Sequence, residues 1–127
     1  MFRRKIFIII LVLFLNLLWS IELVVSPYLQ DATPNSMHIL WETDSESQTI
    51  VEWGLSPFLT ETTSGASFLN YESSKIHTVE LTNLTPNTRY YYRAVIGNYE
   101  SYSGLHNFIT PPDPSSEASF KIIAMSD

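Results

Sequence analysis

The stretch that decides the fold is residues 84–95, which read Leu-Thr-Pro-Asn-Thr-Arg-Tyr-Tyr-Tyr-Arg-Ala-Val. Pro86 and Asn87 predict a turn, because proline presets its own φ and asparagine tolerates turn geometry. Beyond the turn, Tyr90 and Tyr92 alternate onto one face, and threonine and tyrosine favour a half-buried pleated surface. We therefore expect a tight corner followed by a strand, with the ring of Tyr90 buried and its hydroxyl bonded back to the upstream backbone.

The spacing of Leu84, Pro86 and Tyr90 resembles the tyrosine corner of fibronectin type III domains, which are immunoglobulin-like sandwiches. We expect these three residues to form a structural corner. Tyr92 is then a core residue, and Tyr91 is exposed between the two inward-facing tyrosines. The predicted fold class is all-β, an immunoglobulin-like or fibronectin type III-like antiparallel sandwich.

The remaining sequence predicts short strands separated by turns, and no amphipathic helix. The first strand, 23–30, is expected at a sheet edge because Pro27 lacks an N–H. Trp41 and Trp53 are predicted core residues, since each shares a face with other apolar residues of its strand. Further strands are expected at 36–43, 49–53, 76–81, 88–96 and 105–110, with a hairpin connection at 97–104 and one or two short strands within 58–75.

Composition limits the function. The chain has 127 residues, which favours one domain, and a formal net charge of -6. Three of its seven Lys and Arg precede residue 6, so their removal leaves four against 13 Asp and Glu, or -9. Such an acidic surface argues against a nucleic-acid partner, where cationic contacts to phosphates carry most of the affinity. Without cysteine, neither a disulfide framework nor a thiolate metal site is available.

The N-terminus predicts export. Residues 3–5 are basic, residues 6–15 are all apolar, and a small residue follows at Ser20. This order predicts a signal peptide over 1–20 and a secreted or otherwise extracytoplasmic protein. An uncleaved N-terminal membrane anchor is the alternative, but the apolar run is shorter than the roughly 20 residues that span a bilayer. No stable membrane span is expected after cleavage.

A change of composition follows the predicted sandwich domain, 21–112. Residues 113–119 predict a proline-rich linker, which favours extended geometry. Residues 120–125 form a near-continuous apolar run, as in a strand buried on both faces of an α/β sheet. Asp127 lies just past this strand, where α/β sheets place ligand and metal sites. We expect residues 120–127 to be one orphan strand of a truncated second domain.

Together these motifs resemble the N-terminal domain of purple acid phosphatases, and 120–127 resembles the first strand of the metallophosphoesterase domain that follows it in that family. The motifs are PYLQ (27–30), SMHILW (36–41), VEWG (51–54), LTPNTRYYY (84–92) and FITPP (108–112). The resemblance implies a phosphomonoesterase with a dinuclear metal centre, iron with a second iron, zinc or manganese. Asp127 matches the first metal ligand, and the remaining ligands lie further on in the family. The resemblance therefore implies a catalytically inactive fragment whose partner is its own missing catalytic domain.

Other interpretations stay open. A free-standing fibronectin III-like module for binding or adhesion is the alternative function. Asn83-Leu84-Thr85 is a glycosylation sequon on a predicted surface turn, which matters only if the host glycosylates. His38, His77 and His106 lie on different predicted strands without metal spacing, so we expect them at surface or strand-end positions.

Overall fold

The computed structural model describes residues 20–70, 73–117 and 119. The predicted orphan strand at 120–125, Asp127 and nearly all of the predicted signal peptide lie outside these residues. The described part of the chain forms nine β-strands: β1 Leu23–Gln30, β2 Met37–Thr43, β3 Ile50–Gly54, β4 Glu61–Ser64, β5 Ala66–Leu69, β6 Lys75–Leu81, β7 Arg89–Ile96, β8 Ser101–Tyr102 and β9 His106–Ile109.

The strands form two antiparallel sheets. The first has the order β1-β2-β6-β5, and the second has the order β4-β3-β7-β8, with β9 also paired to β7. Side chains from β2, β3, β6, β7 and β9 meet in one hydrophobic core. The predicted all-β sandwich is confirmed, and β1 lies at a sheet edge as expected.

The chain changes sheets at Gly65, between β4 and β5. A Cβ on Gly65 would lie 1.9 Å from the carbonyl oxygen of Thr78 on β6. A glycine within a strand often marks such a close backbone approach. β4 and β5 both fall within 58–75, where one or two short strands are expected.

The core is built mainly by alternation along the central strands, and the alternation is strict in β2. In β2 every second residue from Met37 to Thr43 is buried, and Trp41 is fully enclosed. Tyr92 on β7 is also buried, whereas Trp53 is half-buried and packs at the margin of the core. Its position near the end of β3 lets its indole Nε1–H donate a 2.9 Å hydrogen bond to Thr63 Oγ1.

The histidine prediction is wrong for His77. The ring lies on β6 and is fully buried, not at the surface or a strand end. His77 is two residues from Val79, so both side chains point to the same, inward face of β6. Hydrogen bonds from polar groups outside β6 compensate for the burial of the imidazole ring. His38 and His106 are half-buried, on β2 and β9.

The strand register defines two ends of the sandwich. Gln30 pairs with His38, Met37 with Leu81, and Arg89 with Ile109, so the adjoining loops lie at one end. We call this end the corner pole; it comprises the loops 31–36, 55–60 and 82–88 and the exit segment 110–112. The loops 44–49 and 97–105 lie at the other end, which we call the far pole.

Candidate functional site

The predicted corner residues meet in the structure. The Tyr90 hydroxyl accepts a 2.9 Å hydrogen bond from the backbone N–H of Thr85, five residues upstream. The Tyr90 ring is buried against the rings of Phe108 and Trp53, with centroids 5.7 Å away in each case. Leu84 is buried in the same core. The corner is therefore fixed both by its apolar side chains and by one hydroxyl.

The turn itself is formed by Pro86 and Asn87. Asn87 has a φ of 48°, a left-handed conformation that asparagine adopts more readily than most residues. The Thr88 hydroxyl donates a 2.9 Å hydrogen bond to the carbonyl oxygen of Pro86 and closes the turn. Asn83, the predicted glycosylation acceptor, is exposed just before the corner, also with a positive φ of 57°.

Thr110 connects the corner to the segment by which the chain leaves the sandwich. Its buried hydroxyl donates to the carbonyl oxygen of Thr85 over 2.6 Å and accepts from the N–H of Thr88 over 3.0 Å. The Thr110 N–H donates to the Thr88 carbonyl, and the Asn87 N–H donates to the Pro111 carbonyl. The exit segment is thus hydrogen-bonded to the corner at four points.

Sequence reasoning missed this role of Thr110. The residue stands at the end of a predicted strand and before two prolines, which favours reading it as the start of a linker. Its partners are 22 and 25 residues away, so no local pattern reveals them. Thr110 reaches the corner because β9 pairs with β7.

A loop of the opposite sheet is joined to the same corner. The Asn35 side-chain amide donates a 2.9 Å hydrogen bond to the carbonyl oxygen of Leu84. In return the Leu84 N–H donates to the carbonyl oxygen of Asn35, also over 2.9 Å. Because Met37 pairs with Leu81, these bonds extend the β2–β6 pairing into the adjoining loops and hold the corner to the first sheet.

A second polar cluster surrounds His77 inside the sandwich. His77 Nε2 lies 2.7 Å from Thr43 Oγ1, and His77 Nδ1 lies 2.7 Å from Thr49 Oγ1. Because the Thr43 hydroxyl donates its proton to Ser45 O, it accepts from His77, which places the ring proton on Nε2. The ring stacks on Trp41, with centroids 5.0 Å apart.

Burial lowers the pKa of His77, and the charge of Lys75 acts in the same direction. The carboxylate of Glu46 opposes this shift. The neutral ring suits the hydrogen bonds of the two threonines and its stacked position on the indole. This cluster is a structural element of the core whose protonation opposes folding.

The remaining sequence-predicted groups do not form a site with these residues. His38 lies 3.9 Å from Glu80 on the outer surface, and His106 stacks on the ring of Tyr92. Burial raises the pKa of Tyr92 to about 12. Within 20–70, 73–117 and 119, no group of three or more metal-ligating side chains comes together. Asp127 lies outside the described residues.

Comparison with protein families identifies the domain. Residues 25–110 match the family described as purple acid phosphatase, N-terminal domain. The chain belongs to this family. The matched region ends at Thr110, the residue whose hydroxyl is bonded to the corner. None of the curated proteins compared with the chain matches it.

Solved structures agree on the fold alone. The sensor domain of the anti-sigma factor RsgI4 in Pseudobacteroides cellulosolvens is similar, with 16% identity, a TM-score of 0.55, and coverage of 79% of this chain and all of that chain. The solution structure of the same sensor domain has 16% identity, a TM-score of 0.53, and coverage of 84% and 90%. In the described part of the chain, no helix of membrane-spanning length and hydropathy is present.

Proposed function

We propose that this chain is the exported, non-catalytic N-terminal domain of a purple acid phosphatase-like phosphomonoesterase. The family match over 25–110 carries the proposal, because it names both the enzyme class and the position of the domain in it. In this proposal the partner is the catalytic domain that follows in the family, and the sandwich holds that domain in a fixed orientation.

The hydrogen bonds around Thr110 support the positioning role. A connection that leaves a domain through freely rotating residues cannot transmit orientation. Here the chain stays bonded to the corner up to Pro111, and the linker then turns at Asp113, whose carbonyl oxygen accepts a 2.9 Å hydrogen bond from the Ser116 N–H. The linker therefore begins at a rigid point and is itself held by a turn.

The described residues do not fit the dinuclear metal centre of such an enzyme. No cluster of ligands exists among them, and even a single catalytic zinc takes about three protein ligands. We propose that Asp127 is the first metal ligand, and that the other ligands to iron and its second iron, zinc or manganese come from the catalytic domain. On this proposal the 127-residue chain hydrolyses nothing by itself.

Export is part of the same proposal. The basic residues 3–5 and the apolar run 6–15 are the features that a signal peptide needs. A cysteine-free sandwich also depends on no disulfide to fold outside the cell. N-terminal sequencing of the protein recovered from its native host tests this point: a mature N-terminus near residue 21 supports export with cleavage, and an intact Met1 contradicts it.

The main test is to express the gene product through its natural stop codon beside the 127-residue chain. Both are purified, supplied with iron and zinc, and assayed on a phosphomonoester against a blank of the metals alone. We expect hydrolysis by the full product and none by the chain above the blank. Turnover by the chain overturns the non-catalytic role. A reading frame that stops after Asp127 overturns the phosphatase assignment and favours a free-standing binding module.

A further inference from the structure

The β3–β4 loop at the corner pole exposes two large apolar side chains. Phe58 is 90% exposed and Leu55 is 67% exposed, although both belong to a loop of only six residues, 55–60. Burial of either side chain in an interface would remove its apolar surface from water, which is favourable. Two such residues in one short loop form an exposed apolar patch, a feature that occurs at interaction sites.

The loop holds these side chains outward by its own backbone. The Leu59 N–H donates a 3.2 Å hydrogen bond to the carbonyl oxygen of Ser56, and Pro57 fixes φ between them. At the base, the position of a Cβ on Gly54 would lie 3.2 Å from the backbone nitrogen of Thr60, so the two arms of the loop are close. A loop constrained in this way presents its apolar residues without having to order them on binding.

The loop lies at the end from which the chain leaves the sandwich. Gly54, the last residue of β3, pairs with Tyr91, and Arg89 pairs with Ile109, directly before the exit segment. The linker, 113–119, has seven residues and spans at most about 25 Å even when fully extended. A domain joined through it therefore begins within about 25 Å of the corner pole.

The two poles differ in the number of charged residues in their loops. Among the loops 31–36, 55–60 and 82–88 and the exit segment 110–112, Asp31 is the only charged residue. The far-pole loops 44–49 and 97–105 instead carry Asp44, Glu46 and Glu100. Glu61, Arg89 and Asp113 border the corner-pole loops, so covering these loops desolvates fewer charges within them than covering the far-pole loops, which contain three carboxylates.

We propose that the 55–60 loop docks onto the catalytic domain of the same chain, with Leu55 and Phe58 seated in an apolar surface of that domain. The inference rests on the proposed function and adds to it the surface by which the two domains meet. Exposed apolar side chains, a hydrogen-bonded loop and few charged residues coincide at the pole from which the linker departs. The exposed apolar residues of the far pole, Tyr99, Tyr102 and Leu105, share their loop with Glu100.

Hydrogen exchange tests the contact in the protein as its gene encodes it. The amides of 55–60 are compared between the full gene product and the 127-residue chain, and β5 provides the internal control. We expect exchange in 55–60 to slow by about tenfold or more in the full product, with β5 unchanged. Equal rates in a product that hydrolyses phosphomonoesters overturn the docking surface and leave the proposed function intact. Protection that instead appears in the 127-residue chain as its concentration rises identifies a second copy as the occupant and also overturns the proposal.

A matched pair of double variants separates docking from general exposure. Leu55→Ser with Phe58→Ser removes the two side chains of the loop, and Phe68→Ser with Leu69→Ser removes an equivalent pair on β5, which are 50% and 64% exposed. In the full product we expect the first pair to enlarge the radius of gyration in small-angle scattering and the second pair to leave it unchanged. Near-UV circular dichroism of each variant verifies that the sandwich remains folded. Equal radii for both folded variants contradict the docking surface.

Discussion

The two poles of the sandwich differ in how their loops are held. At the corner pole, the hydroxyls of Tyr90 and Thr110 and the side-chain amide of Asn35 bond backbone groups of other segments. At the far pole, the Ser47 hydroxyl likewise accepts a 2.9 Å hydrogen bond from the Gly97 N–H, but the 2.7 Å bond from Gln48 to Asn98 and the ion pair of Lys75 with Glu46 use exposed side chains. Exposed contacts of the second kind contribute little to stability.

This difference indicates which end of the domain is built to be attached. Bonds from buried side chains to the backbone fix the course of the chain, whereas exposed side-chain pairs exchange readily with water. The chain leaves at the end that is fixed. The apolar residues Leu55 and Phe58 are exposed at the same end, so rigidity and an uncovered surface coincide where a second domain is expected.

The largest effect is expected from Thr110→Val, which keeps the shape of the side chain and removes its hydroxyl. The Thr88 N–H and the Thr85 carbonyl then lose a partner beside a buried position, so we expect unfolding free energy to fall by about 1–3 kcal/mol. Urea denaturation followed by tryptophan fluorescence measures the change. Thr62→Val, on an exposed position of β4, is the matched control and should change little. Equal midpoints for both variants contradict the role of Thr110.

A smaller loss is expected from Tyr90→Phe, which keeps the buried ring and removes the acceptor of the Thr85 N–H. We expect about 1 kcal/mol of destabilisation in the same denaturation experiment. Tyr91→Phe removes a hydroxyl from a half-buried tyrosine next to it and serves as the control. A loss no greater than that of the control shows that the corner is held by ring packing alone.

The His77 cluster predicts a dependence of stability on pH. The folded state lowers the pKa of His77. As the pH decreases below about 6.5, the unfolded chain therefore binds more protons than the folded chain, and the free energy of unfolding decreases. Glu46→Gln should steepen this fall, because the carboxylate of Glu46 raises the pKa of His77. Gln48→Ala, which removes no ionisable group, is the control and should keep the dependence of the natural chain. Denaturation midpoints measured from about pH 7.5 to about pH 5.5 decide the point; identical profiles for the natural chain and Glu46→Gln contradict it.

The smallest effect is expected at the far pole. Gln48→Ala removes the exposed hydrogen bond to Asn98, and we expect a change within about 0.5 kcal/mol. Thermal unfolding followed by circular dichroism is sufficient to detect a larger change in stability. A loss as great as that of Thr110→Val abolishes the contrast between the poles.

The sequence alone was sufficient to predict features that depend on residues within one strand or one turn. The alternation of β2 identified Trp41 as core, and the spacing of Pro86 and Tyr90 identified the corner. The role of Thr110 could not be predicted, because its partners are 22 and 25 residues away. His77 has the inward parity of Val79, but its threonine partners are 34 and 28 residues away, and only the fold brings them near. Trp53 has inward parity, yet its place near the end of β3 leaves it half-buried.

The central claim is that the corner pole holds the departing chain rigidly, and amide hydrogen exchange of the 127-residue chain measured by NMR tests it most directly. The amides of Thr85, Asn87, Thr88 and Thr110 are compared with those of 98–100 at the far pole. We predict that the four corner amides exchange about a hundredfold more slowly, as groups that open only with the sandwich. Corner amides that exchange as fast as 98–100 would contradict the claim.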